Sequence, residues 1–267
     1  VDILTFLLLL VGGCAAGFLA GFFGVGGGIL LVPILLLYYQ ACHVTSLVST
    51  HLAFGTSLFI IIFASGSSAY RYNRSQFVLW RAVVLMGAAG IVGALIGSGL
   101  AAMMQGQTLR RIFAGVLVLA SLRLVSRQRK PKGNLPPELG AQRLLPAGGL
   151  VGLISSLAGV GGGVFAIPAM YSLFRFPLKK ALGTSSAIIS VTALAGAIGY
   201  AFKGWGVQGL PSFTLGYVDC LTALPLILGA LPMAAVGASL AEKTQADILR
   251  KIFAVLLVVV AAKMFLG

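Results

Sequence analysis

The chain has 267 residues, of which 59% are hydrophobic and only 9% charged. A soluble domain carries about 25% charged residues, so a water-soluble globular protein is excluded and an integral membrane protein is indicated. The formal charge of +14 sits in short loops between apolar runs, where membrane topology and lipid headgroups account for it better than nucleic acid does.

In chain order, apolar segments are predicted over 3–23, 29–39, 47–70, 79–104 and 108–125. The first has no basic leader and no clear cleavage site, so no cleavable signal peptide is expected. A basic, proline-containing linker follows, with Arg127, Arg129, Lys130 and Lys132 beside Pro131, Pro136 and Pro137. Further segments follow over 145–158, 163–174, 179–202, 213–240 and 246–266. The expected organisation is a first transmembrane repeat over 1–125, a cytoplasmic linker over 126–144 and a second transmembrane repeat over 145–267.

The two halves carry the same landmarks in the same order. Gly17 to Pro33 returns as Gly152 to Pro168, Ala53–Ser57 as Ala181–Ser185, and Leu109–Ala114 as Leu249–Ala254. One ancestral unit used twice explains this. The segments 29–39 and 163–174 fall short of the roughly 20 helical residues that cross a bilayer. Each is therefore predicted to pair with the segment before it in a helical hairpin whose tip is the glycine run.

Charge decides between topologies. If each opening pair is a hairpin, only Arg110, Arg111, Lys203 and Lys263 fall on the side of the N-terminus, and the remaining basic residues fall opposite. If instead the first two segments form one broken span, the asymmetry disappears. The positive-inside rule therefore selects hairpins, with both termini outside. The fold expected is an all-α polytopic membrane protein of two inverted-topology repeats. Each is a hairpin with a glycine-rich tip plus three transmembrane helices.

The glycine runs are the chemical signal. Gly24, Gly26, Gly27 and Gly28 recur as Gly159, Gly161, Gly162 and Gly163. Bare backbone survives in lipid only where protein or a water-filled cavity satisfies it. A helix opening after each run presents amides without intrahelical partners, and its dipole favours negative charge. Two such ends from opposite faces would form a backbone anion site near the midplane. Thr56 and Ser57, with Thr184 and Ser185, lie a third of the way into spanning segments, where hydroxyls bond either a ligand or their own backbone. His51 and Lys179 stand just before these pairs as further candidates.

Other glycines, Gly13, Gly17, Gly21, Gly93 and Gly97, have the four-residue spacing of close helix packing. Asp219, beside a spanning run, is expected to cap a helix or face solvent. Cys14, Cys42 and Cys220 lack metal or redox spacing, so neither metal nor cofactor is expected. No nucleophile–base pair or metal set is visible, so the chain is not expected to be an enzyme. Acidic residues are scarce, which favours an anionic solute over a cation.

At Gly17 to Pro33, His51 to Ser57 and Leu109 to Phe113, and at the second-half counterparts Gly152 to Pro168 and Ala181 to Ser185, the sequence resembles the TauE/SafE sulfite exporter family of membrane permeases. The resemblance implies an inner-membrane transporter for sulfite, sulfonates such as sulfoacetate, or related small anions, with export favoured over uptake. The second half departs from the motif, with Lys179 where the first has His51. The expected function is a secondary transporter of small sulfur-containing oxyanions working by alternating access. A passive anion channel and a non-transport membrane assembly factor are the alternatives. Expected partners are the anion and membrane lipids, with a coupling ion and a homo-oligomer left open and no nucleic acid.

Overall fold

The computed structural model describes residues 2–125 and 140–244. The basic linker over 126–139 and the apolar segment 246–266 lie outside the described residues. Helix α1 (Ile3–Phe23) is uncharged and ends at Gly24, whose φ of 63° gives a left-handed stop. Helix α2 (Gly28–Ala41) starts after Gly27 at φ 81°. The second half repeats this with α6 (Ala141–Ala158), ending at Gly159 with φ 64°, and α7 (Gly163–Ser172), starting after Gly162 at φ 73°. Both hairpins expected from the glycine runs are present. Pro33 and Pro168 lie inside α2 and α7, so each short helix lacks one internal hydrogen bond.

Two long helices form the centre, α3 (Ser46–Arg74) and α8 (Leu178–Lys203). They run antiparallel. A Cβ on Gly55 would lie 3.1 Å from Tyr200 Cβ and one on Gly183 would lie 2.9 Å from Tyr72 Cβ. Midway, Ser190 Oγ donates to Ile62 O at 3.2 Å. Outside this pair stand α4 (Trp80–Ala102) and α9 (Cys220–Lys243), while α5 (Gly106–Val125) packs on α3. The described helices long and apolar enough to cross a membrane are α1, α3, α4, α8 and α9. Leu4, Leu8, Val84, Val92, Leu224 and Leu228 are exposed, as lipid-facing side chains must be.

The halves exchange partners: α1 packs chiefly on α9, and α6 on α4. Small residues make both contacts close. Cβ atoms on Gly13, Gly17 and Gly21 would collide with the backbone of Leu226, Ala230 and Ala234. Those on Gly93 and Gly97 would collide with Gly149 and Leu153. The packing role expected for these five glycines holds. Gly99, on the same helix α4, has nothing within 4 Å of its Cβ position. Gly17→Val is therefore expected to lower stability by about 1–3 kcal/mol. Gly99→Ala is expected to be neutral or to add up to about 1 kcal/mol through helix propensity. Thermal melts in detergent check both.

One predicted boundary was wrong. The run 213–240 opens with a small antiparallel hairpin, β1 (Thr214–Leu215) and β2 (Val218–Asp219), and α9 starts only at Cys220. The turn uses Gly216 at φ 55°. Phe213 to Val218 are apolar and aromatic enough to read as more helix, because hydropathy carries no information on backbone conformation.

Candidate functional site

The two glycine tips meet inside the protein. Residues 24–29 and 159–164 are all buried. A Cβ on Gly28 would lie 2.5 Å from Val160 Cα and 2.7 Å from Gly159 O. One on Gly163 would lie 2.6 Å from Val25 Cα and 2.8 Å from Gly24 O. Backbone thus rests on backbone, and the tip conformation is the same in both halves. Gly26 and Gly161 both have φ 90°, a region that side-chain-bearing residues rarely enter.

The helix openings carry uncapped amides. In α2, Leu30 N and Leu31 N both donate to Gly27 O, at 3.0 and 3.1 Å. In α7, Phe165 N and Ala166 N both donate to Gly162 O, at 3.1 and 3.0 Å. No side chain caps either helix. The amides of Gly28 and Ile29, and of Gly163 and Val164, precede the first intrahelical bonds and have no acceptor within their helices. The tips are closed over by Ile61 and Ile189. The ideal Cβ position of Gly26 is 3.0 Å from Ile189 Cγ2 and 3.1 Å from Ile61 Cγ2. That of Gly161 is 3.0 Å from Ile189 Cγ2 and 3.3 Å from Ile61 Cγ2.

The Thr/Ser pairs hold the tips and helix starts of the opposite half. Ser57 Oγ donates to Gly159 O at 2.7 Å, and Ser185 Oγ to Gly24 O at 2.9 Å. Thr56 Oγ1 accepts from Asp219 N at 2.9 Å, at the start of α9. Thr184 Oγ1 accepts from Leu79 N at 3.0 Å, at the start of α4. Of the two roles open to these hydroxyls, the backbone one is occupied in this conformation.

His51 and Lys179 also have matching tasks. His51 Nε2 lies 3.0 Å from Ala101 O and 3.1 Å from Met104 O, so it carries the proton and donates at the end of α4. Its ring stacks on Tyr217 at 5.1 Å. Lys179 Nζ donates to Glu242 O at the end of α9 and lies 6.0 Å over the Phe77 ring. Both side chains serve helix C-termini, where donors and positive charge are favoured. The His-for-Lys departure between the halves therefore preserves a contact rather than losing one. His51 precedes Ile61 by ten residues of helix, about 15 Å along the axis, so it stands away from the tips.

Sequence inspection passed over three serines. Ser65 Oγ, Ser155 Oγ and Ser156 Oγ are buried with no hydrogen-bond partner among the described residues. Ser65 Oγ lies 3.3 Å from the ideal Cβ position of Gly26, and Ser155 Cβ lies 3.1 Å from that of Gly162. Unpaired buried hydroxyls are costly; Ser65 and Ser155 line the tips, while Ser156 Oγ faces Gly196 of α8. A lone serine in an apolar helix gives no sequence signal of this.

Asp219 caps α9 as expected. Its Oδ1 accepts from Thr222 N at 3.0 Å, while Oδ2 accepts from Thr222 Oγ1 at 2.6 Å and from Tyr39 Oη at 3.3 Å. It forms part of the floor of a cavity of about 370 Å³ that opens between the α2–α3 junction and residues 209–211. Among the described residues, no group of three or more His, Cys, Asp or Glu side chains is placed to hold a metal ion.

The family model described as sulfite exporter TauE/SafE matches residues 9–264. A probable membrane transporter protein of Haemophilus influenzae is 31% identical, covering 98% of this chain and 99% of its own. The probable membrane transporter protein YunE of Bacillus subtilis is 26% identical over 98% of this chain and 97% of its own. A probable membrane transporter protein of Methanocaldococcus jannaschii is 26% identical over 91% and 89%. No solved structure matches the chain significantly.

Proposed function

Because the chain belongs to the sulfite exporter TauE/SafE family, we propose that it is a secondary transporter carrying a small sulfur-containing oxyanion, of the sulfite or organosulfonate class, out of the cell. Membrane transport itself follows from the family and from relatives named as membrane transporters. The observation that carries the anion reading is the meeting of two uncapped helix openings at Gly28 and Gly163, with the unpaired hydroxyls of Ser65 and Ser155 beside them. Amides and hydroxyls without acceptors suit a solute with several acceptor oxygens and no need to donate. Ser57 and Ser185 fix the carbonyl side of each tip, leaving the amide side for the anion.

Alternating access fits an inverted repeat with its pseudo-two-fold axis in the membrane plane. Antiparallel α3 and α8, the reciprocal Ser57 and Ser185 bonds and the exchanged packing of α1 and α6 support that symmetry. Arg71, Lys179 and Glu242 gather at one end of the bundle, and Arg110 bonds Thr50 near the other. On the positive-inside rule we read the first end as cytoplasmic, in an inner membrane, with the N- and C-termini outside.

Flux of sulfite, methanesulfonate and sulfoacetate from proteoliposomes tests the proposal. Saturable flux with counterflow is expected. Flux without saturation or counterflow would favour a passive anion channel. No flux and no binding across the panel would remove the anion reading and leave an assembly factor as the better account.

A further inference from the structure

We propose that Ile61 and Ile189 form an aliphatic plug that occupies the anion's place between trips and sets both the leak and the size limit of the carrier. The proposal rests on the anion reading of the tips. Both side chains are fully buried. Each stands four residues beyond a serine that grips the opposite tip, Ser57 for Ile61 and Ser185 for Ile189. Residues four apart share a helix face. The same face of each central helix therefore holds one tip by its carbonyl and covers both tips with a branched side chain.

The covering is close. Ile189 Cγ2 is 3.0 Å from the ideal Cβ positions of both Gly26 and Gly161, and Ile61 Cγ2 is 3.1 and 3.3 Å from them. Ile189 Cδ1 is 2.6 Å from that of Gly163. An anion cannot reach the amides at these openings while both side chains stay. Ser65, one further turn along α3 on the same face, is left without a partner beside Gly26. An apolar group over uncapped amides and an unpaired hydroxyl is a poor match for its surroundings. A closed aliphatic contact does, however, exclude the water and ions that a polar gap would pass.

Isoleucine on a helix keeps essentially one χ1 rotamer. The plug is thus withdrawn by displacement of α3 and α8 themselves rather than by a side-chain flip. Opening the anion site and moving the central helices become one event.

The test is sulfite flux from proteoliposomes for wild type, Ile61→Ala/Ile189→Ala and the milder Ile61→Val/Ile189→Val, with benzenesulfonate as the oversized probe. Ile60→Ala and Ile188→Ala remove the same atoms roughly 100° round the same helices and serve as controls for packing loss. The alanine pair is expected to raise non-saturating sulfite leak at least tenfold and to admit benzenesulfonate. The valine pair should fall between it and wild type, and the controls should keep wild-type behaviour. If the alanine pair does not fold, the valine pair decides by the same two readouts. Wild-type saturation and an unchanged size limit in the plug variants overturn the proposal while leaving the anion reading standing. A wild type that neither carries nor binds sulfite, methanesulfonate or sulfoacetate overturns both.

Discussion

Gly163→Ala is expected to cut sulfite binding by more than tenfold, and Gly28→Ala to do the same. The added methyl group meets main chain in each case: Val25 Cα at 2.6 Å for Gly163, and Val160 Cα at 2.5 Å for Gly28. No rotamer change relieves a collision with a Cα, so one tip must move away from the other. Contacts under 3 Å in a packed interior cost about 1–3 kcal/mol or more, and displacement on this scale also disorders the paired amides. Isothermal titration with sulfite in detergent, alongside a thermal melt, reads both effects. Unchanged affinity in both variants would show that the meeting of the tips is not what binds the anion. Gly26→Ala gives a contrasting case, because its neighbours are side chains but its φ of 90° strains any residue with a Cβ.

Asp219→Ala is expected to lower stability by about 2–4 kcal/mol. The carboxylate accepts three hydrogen bonds, from Thr222 N, Thr222 Oγ1 and Tyr39 Oη. Loss of a helix cap costs about 1 kcal/mol, and each buried donor left unpaired adds about 1–3 kcal/mol. Tyr39 Oη keeps Thr56 Oγ1 as a partner at 3.3 Å and lines the open cavity beside Asp219, so the buried Thr222 hydroxyl is the donor left without its acceptor. Asp219→Asn keeps an oxygen for Thr222 N and should cost less. A melt of the two variants distinguishes a structural knot from a dispensable surface acid; equal stability of Asp219→Ala and wild type would refute the account.

Much of this architecture was legible from residue order. The duplicated glycine runs located both hairpin tips, and hydropathy placed the described spanning helices to within a few residues, except the start of α9, which lies beyond the β-hairpin at Cys220. The glycine spacings showed that helices approach closely, but not which helices. A partner's backbone has no sequence signature, so the pairing of Gly17 with Ala230 was invisible. The same reason hid the tasks of His51 and Lys179, whose acceptors are the carbonyls of Ala101, Met104 and Glu242. Ile61 and Ile189 looked like any other membrane isoleucines, since only the three-dimensional meeting of the tips gives them a distinct position. The hydroxyls at Thr56, Ser57, Thr184 and Ser185 were recognised, while their bonds across the halves were not.

The packing of α1 against α9 has a bearing on how the protein is made. Synthesis releases α1 long before α9, its main neighbour, which leaves the ribosome about two hundred residues later. At about 5–20 residues per second, that leaves a glycine-notched helix waiting in the bilayer for on the order of ten seconds or more. During that interval its notched face is open to lipid or to any other small-residue helix nearby. Assembly quality control should therefore act on α1 while α9 is missing, and a chain truncated before Cys220 should be degraded rather than accumulate as a stable half.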